Sequence, residues 1–183
     1  MNITRRAAIR NILIVTAGAA ILPSCFHENS TIKLNFLDIN RRQEDALASL
    51  SDTIIPKTDT PGARDISAHL FVLKMVDDCY TKEEQQTFLN GFHEFEALTK
   101  EKYNKAFDEL SALQKNELLT NLEKNDKTFS DNIKSFYGSA KSLTLLGFTT
   151  SKYYLTEVKN FNLIPGKYEG SVLVQNLASP AKS

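Results

Sequence analysis

Apolar residues recur at helical spacing in five stretches of the chain, separated by short polar breaks. Leu47, Leu50 and Ile54 repeat behind Asn40, which is placed as an N-cap, with Gln43 completing a capping box. Pro56 ends that pattern, because proline lacks an N–H and disfavours helix in the residue before it. Ile66, Leu70, Leu73 and Val76 mark one face of a second helix, with Asp65 as its cap and His69 beside that face. Thr81 and Glu84 predict a second capping box, opening a helix that buries Phe88, Leu89, Phe92 and Phe95. Residues 96–108 are more polar and read as an extension of this helix or a kinked connection. Ser111 and Gln114 open a fourth helix with Leu118, Leu119 and Leu122, and residues 124–127 interrupt it. Phe129, Ile133, Phe136, Tyr137, Ala140 and Leu143 form a last long stripe, which Gly147 is placed to stop. A helical turn around Ser151–Tyr154 can follow. Beyond Glu157 no helical period remains, and no repeat or sheet pattern is visible. The expected fold is all-α: a compact bundle of about five helices over residues 40–158, with an extended C-terminal arm over 159–183.

The break at residues 56–65 differs from the other connections. Thr58, Asp59 and Thr60 can bond their own backbone, and Pro61-Gly62 signals a second turn. Two prolines and several local acceptors predict a rigid loop, with Gly62 at a turn position of positive φ. Such a loop suits a binding surface; it equally suits a well-formed helix–helix connection.

The first 24 residues have a different character. Arg5, Arg6 and Arg10 are basic, and residues 12–22 form an uncharged, mostly apolar run too short to span a bilayer. Leu22-Pro23-Ser24-Cys25 resembles a bacterial lipobox, in which Cys25 is lipidated and becomes the mature N-terminus. The Arg-Arg pair resembles a twin-arginine export signal, which passes folded proteins, although Ala8 stands where a Phe is typical. The ordinary unfolded-chain route therefore stays open, as does a chance cysteine after a plain signal peptide. Residues 25–39 are expected to tether lipid to domain, on the periplasmic side of the membrane.

The chain has 183 residues with 22 basic and 22 acidic side chains, enough for one domain with a sizeable core. Without residues 1–24 the balance is 19 basic to 22 acidic, which leaves no basic footprint for nucleic acid. Candidate chemistry is sparse. Cys25 and Cys79 with His27, His69 and His93 show no metal-ligand spacing, so no metal site is expected. No haem-attachment motif, phosphate loop or dinucleotide glycine motif occurs, so no cofactor-binding residue is expected in this chain. His69 and His93 read as surface or boundary residues, and Cys79 as a core cysteine. Asp77 and Asp78 at a helix C-terminal end are electrostatically awkward, which marks a cap, a partner contact or acid–base work. A four-helix metal carrier needs Glu-x-x-His pairs, and none occurs.

Four segments, in order, resemble one family. Residues 52–65 (DTIIPKTDTPGARD) resemble an ETIIP-x-TDTPGA signature, and residues 76–84 (VDDCYTKEE) a DCY-(S/T)-x-EE segment. Residues 143–151 (LTLLGFTTS) resemble LT-LLGYYTS, and residues 164–170 (IPGKYEG) a closing PG-x-Y-(D/E)-G. These belong to the gluconate 2-dehydrogenase small (gamma) subunit family, and they cover about residues 43–172. The resemblance implies a non-catalytic accessory subunit beside a large FAD-binding subunit of the glucose–methanol–choline oxidoreductase type. That partner oxidises a sugar or polyol and often passes electrons to a cytochrome c subunit. The small subunit would assist maturation, export or anchoring of the large one. A stand-alone envelope lipoprotein that binds a ligand or scaffolds is the alternative. On this reading the partner-binding candidates are Pro56, Asp59, Thr60, Pro61, Gly62, Asp78, Tyr80, Pro165, Gly166 and Tyr168.

Overall fold

The computed structural model describes residues 30–124, 128–159, 161 and 171. Among them are five α-helices: α1 (Arg41–Ile54), α2 (Ala68–Cys79), α3 (Lys82–Tyr103), α4 (Ala112–Glu123) and α5 (Asp131–Thr149). A 3₁₀ turn (Phe107–Glu109) joins α3 to α4, and a π-helical turn (Tyr154–Val158) follows α5. The described residues hold no strand. The all-α bundle expected from the hydrophobic period is present.

The expected caps are in place. The Asn40 side chain accepts from Gln43 N at 3.0 Å, and Gln43 Oε1 accepts from Asn40 N at 3.1 Å. Thr81 with Glu84 and Ser111 with Gln114 form the same reciprocal pair. Helix α3 extends into the polar stretch as far as Tyr103, where Asn104 in the left-handed conformation ends it.

The core is aromatic at its centre. Phe136 of α5 is fully buried, stacked on Phe92 at 4.8 Å and in edge contact with Phe88 at 5.0 Å. Phe95 packs on both Phe136 and Phe107, so one cluster ties α3, α5 and the 3₁₀ turn together. Helices α3 and α5 run antiparallel, since Glu84 lies by Ser139 while Glu94, later in α3, bonds Asn132, earlier in α5, at 2.6 Å. Gly91 sits at their closest approach: a Cβ there would lie 2.3 Å from the Asn132 carbonyl oxygen.

Several sequence expectations are corrected. Asp65 does not cap α2; the helix starts at Ala68, leaving Ile66 in the preceding turn, and its N-cap Ser67 makes no side-chain cap bond. Gly147 does not stop α5, which runs to Thr149. Its missing side chain instead lets Phe71 of α2 lie against α5, where a Cβ would meet the ring at 2.7 Å. Cys79 is exposed rather than core. His69 is buried on α2, not a surface residue, and its Nδ1 has no partner.

Residues 30–39, expected within a tether, lie on the bundle as a strap. Leu37 and Ile39 enter the core, and Ile32 and Leu34 pack against it. Two buried carboxylates hold the strap. Glu44 accepts from Thr31 N at 2.6 Å and from the Thr31 hydroxyl. Asp77 accepts backbone N–H bonds from Asn35 at 2.8 Å, Phe36 at 2.7 Å and Leu37 at 2.9 Å. Burial opposes the Asp77 charge, but the three N–H bonds and Lys74 at 3.8 Å outweigh it and hold the carboxyl below its usual range.

Candidate functional site

Helices α1 and α2 form an antiparallel hairpin, which gives the bundle two ends. The 56–65 loop lies at one end and the strap at the other. Helix α5 reaches the loop end with its C-terminus, where Ser51 Oγ meets Thr144 Oγ1 at 3.1 Å in the interior.

The loop closes on itself. Ala63 N donates to Ile55 O at 2.9 Å, which joins its two ends. Asp65 accepts from Gly62 N at 2.9 Å and pairs with Lys57 at 3.2 Å. The Gly62 N–H, then Lys57, lower the Asp65 pKa. The Thr58 and Thr60 hydroxyls bond each other at 3.2 Å across the tip. Ser67, at φ 57°, takes the left-handed conformation that turns the chain into α2. Pro56, Asp59 and Thr60 are exposed, Pro61 is half-buried and Gly62 is buried. These five candidates therefore share one preformed loop.

Gly62 is required for a different reason than expected. No glycine among the described residues has positive φ. A Cβ at Gly62 would instead lie 2.5 Å from Lys57 N and 2.9 Å from Ile55 O, both backbone atoms. Gly62→Val should therefore cost about 1–3 kcal/mol by overpacking the loop against itself. Thermal melts of the domain check this, and an unchanged melting temperature would show a slack loop.

The loop has a groove of mixed polarity beside it, with the Glu123–Lys141 ion pair at its wall. Thr53, Ile54, Asn116, Thr120 and Leu145 line this groove of about 240 Å³ between α1, α4 and α5. Leu145 and Leu146 are 42% and 43% exposed, and Val158 and Phe161 beyond α5 are exposed as well. The segments DTIIPKTDTPGARD and LTLLGFTTS, about ninety residues apart in the chain, thus meet at one end of the bundle. A rigid loop at the same end of the bundle as two exposed leucines has the make-up of a protein-docking surface. The period marked Leu145 and Leu146 as helical without showing that they miss the core; a second apolar pair outside the a/d stripe of Phe136, Ala140 and Leu143 was the available signal.

Asp78 and Tyr80 are not part of this surface. They lie at the far end of α2, roughly 18 Å away along its 12 residues. Asp78 pairs with Lys74 at 3.1 Å, and Tyr80 packs partly against the core. Gln85 caps that end of α2, its amide donating to the Val76, Asp77 and Tyr80 carbonyls. Cys25, Pro165, Gly166, Tyr168 and most of the expected C-terminal arm lie outside the described residues.

Titratable groups near the hairpin bear on stability. Burial pushes the His69 imidazole pKa down, opposed by Glu44 and Asp45 and aided by Arg64 and Arg41. A histidine whose folded pKa is depressed binds protons more readily when unfolded, so stability falls as pH drops through about 6.5. Glu96, raised by burial, acts in the opposite direction. Melting temperature should fall from pH 7 to 5, and His69→Leu should flatten part of that slope; equal slopes in both proteins would contradict the assignment. Among the described residues no group of three or more His, Cys, Asp or Glu is placed to hold a metal ion.

Comparison with known proteins adds the family. No curated protein and no solved structure matches the chain. The sequence profile of the family described as gluconate 2-dehydrogenase subunit 3 matches residues 41–166, well over half of the 183 residues. The match spans α1 to α5, the loop and the segment that carries Leu145 and Leu146, and the chain belongs to the gluconate 2-dehydrogenase subunit 3 family.

Proposed function

We propose that the protein is the accessory subunit of a membrane-associated, FAD-dependent sugar or polyol dehydrogenase, and that it supplies binding rather than chemistry. The observation that carries this reading is the family match over residues 41–166, which implies association with a larger dehydrogenase complex. The exposed loop with Leu145 and Leu146 supports it, because it offers a preformed docking surface. In this reading the large glucose–methanol–choline-type subunit holds the FAD and oxidises the substrate, and a cytochrome c subunit takes the electrons where the complex has one. A flavin enzyme binds its FAD in the cytoplasm and must then cross the membrane folded. The Arg5-Arg6 leader would carry the folded pair across, and a lipid on Cys25 would hold it on the periplasmic side.

Deleting this subunit in its host tests the role. The flavin subunit should then accumulate in the cytoplasm, and membrane-bound dehydrogenase activity should be lost. Unchanged activity and location in the deletion strain would overturn it in favour of a stand-alone lipoprotein.

A further inference from the structure

We infer that the strap converts the lipid anchor into an orienting device, which holds the strap end of the bundle on the bilayer surface and turns the loop end away from it. The inference rests on the Cys25 lipid proposed above. A free tether of residues 25–39 would reach about 50 Å fully extended. The structure shortens it, because docking of the strap begins at Thr31. Thr31 bonds Glu44 through both its N–H and its hydroxyl, and Asn35, Phe36 and Leu37 bond Asp77. A strap that left would give up five hydrogen bonds to charged acceptors at once. Leu37 and Ile39 would leave the core with it. From Cys25 to Thr31 the chain can reach at most about 21 Å.

A short leash limits distance, and a second contact sets direction. Phe36 is 69% exposed on the strap, although its own N–H is locked to Asp77. The bonded backbone therefore presents the ring outward at a fixed place. Lys33, three residues earlier, is also exposed. An aromatic ring with a nearby ammonium suits the headgroup layer of an anionic bilayer, the ring at the acyl boundary and the charge at lipid phosphate. Lipid and ring then attach the same strap at two points. The α1–α2 hairpin runs from that end for about 20 Å. Its loop and the exposed Leu145 and Leu146 face away from lipid, where a folded enzyme subunit has room to dock.

The chain contains no tryptophan, so one introduced indole reports depth without background. The full chain is produced with its leader in a lipid-modifying host as Phe36→Trp and, separately, as Thr58→Trp at the loop tip. Each is reconstituted into phosphatidylcholine–phosphatidylglycerol vesicles with brominated acyl chains, and fatty-acid labelling of Cys25 is scored on the same preparations. The expected result is labelled protein in which the position-36 indole is blue-shifted and quenched several-fold more than the position-58 indole. Labelled protein with equal quenching at both sites, stronger quenching at position 58, or quenching at neither overturns the orientation alone. Labelling that is absent, or that persists in Cys25→Ala, removes the anchor and overturns both the orientation and the lipid reading beneath it.

Discussion

Asp77→Ala should destabilise the domain by about 2–4 kcal/mol and release residues 30–39 from the bundle. Three N–H groups share the lost carboxylate, and hydrogen bonds to a charged acceptor are each worth more than neutral ones. Leu37 is buried, so its N–H cannot turn to water while the strap stays docked. Asp77→Asn keeps one acceptor oxygen and should fall between the two. The strap should become a protease-sensitive site in Asp77→Ala, readable as cleavage between residues 30 and 39. The same clamp gives an acid limit. Its folded pKa is depressed, so its contribution is present above the unfolded value near 4 and is lost as pH falls through the lower folded value. Strap release in the parent protein should therefore begin below about pH 4. A melt of Asp77→Ala matching the parent would show that the strap adds nothing to stability.

Phe136→Ala carries the other large effect, a loss of about 3–5 kcal/mol. Phe136 is the ring on which Phe88, Phe92 and Phe95 converge, at 5.0, 4.8 and 5.6 Å. Removing it opens a cavity at the α3–α5 contact, where collapse is blocked. The two backbones already meet at Gly91, whose Cβ direction is filled by the Asn132 carbonyl. Phe136→Leu fills most of the volume and should cost clearly less. Denaturant unfolding measures both, and equal losses would mean that the site relaxes around either side chain.

Local signals explain which parts of this structure the sequence discloses. The caps at Asn40, Thr81 and Ser111 need only residues three apart, and the stripes need only a period of 3.6. The loop announces itself through Pro56, Pro61 and Gly62 for the same reason. What stays hidden depends on distant partners. Asp77 is bonded by residues some forty positions earlier, in a segment with no period; its unfavourable place at a helix C-terminus is the only local hint that outside donors must exist. Gly147 reads as a stop, because the chain facing it, like the chain facing Gly91, is visible only in the folded bundle. His69 lies buried although it falls beside the apolar stripe of α2, which no spacing along α2 reveals. The docking surface is half legible: the loop motif and the Leu145 motif each stand out alone, but their meeting at one end is a property of the hairpin and α5 together.

The measurement that bears most directly on the central claim is co-purification from host membranes with the docking surface altered. Tagged full-length protein, captured in mild detergent, should bring down a large subunit with the absorbance of bound flavin, identified by mass spectrometry. Leu146→Glu with Asp59→Lys alters only exposed side chains at the loop end, so the bundle should melt as the parent does while the flavin subunit is lost from the capture. A capture without any flavin subunit, or one unchanged by these two substitutions, would contradict the account.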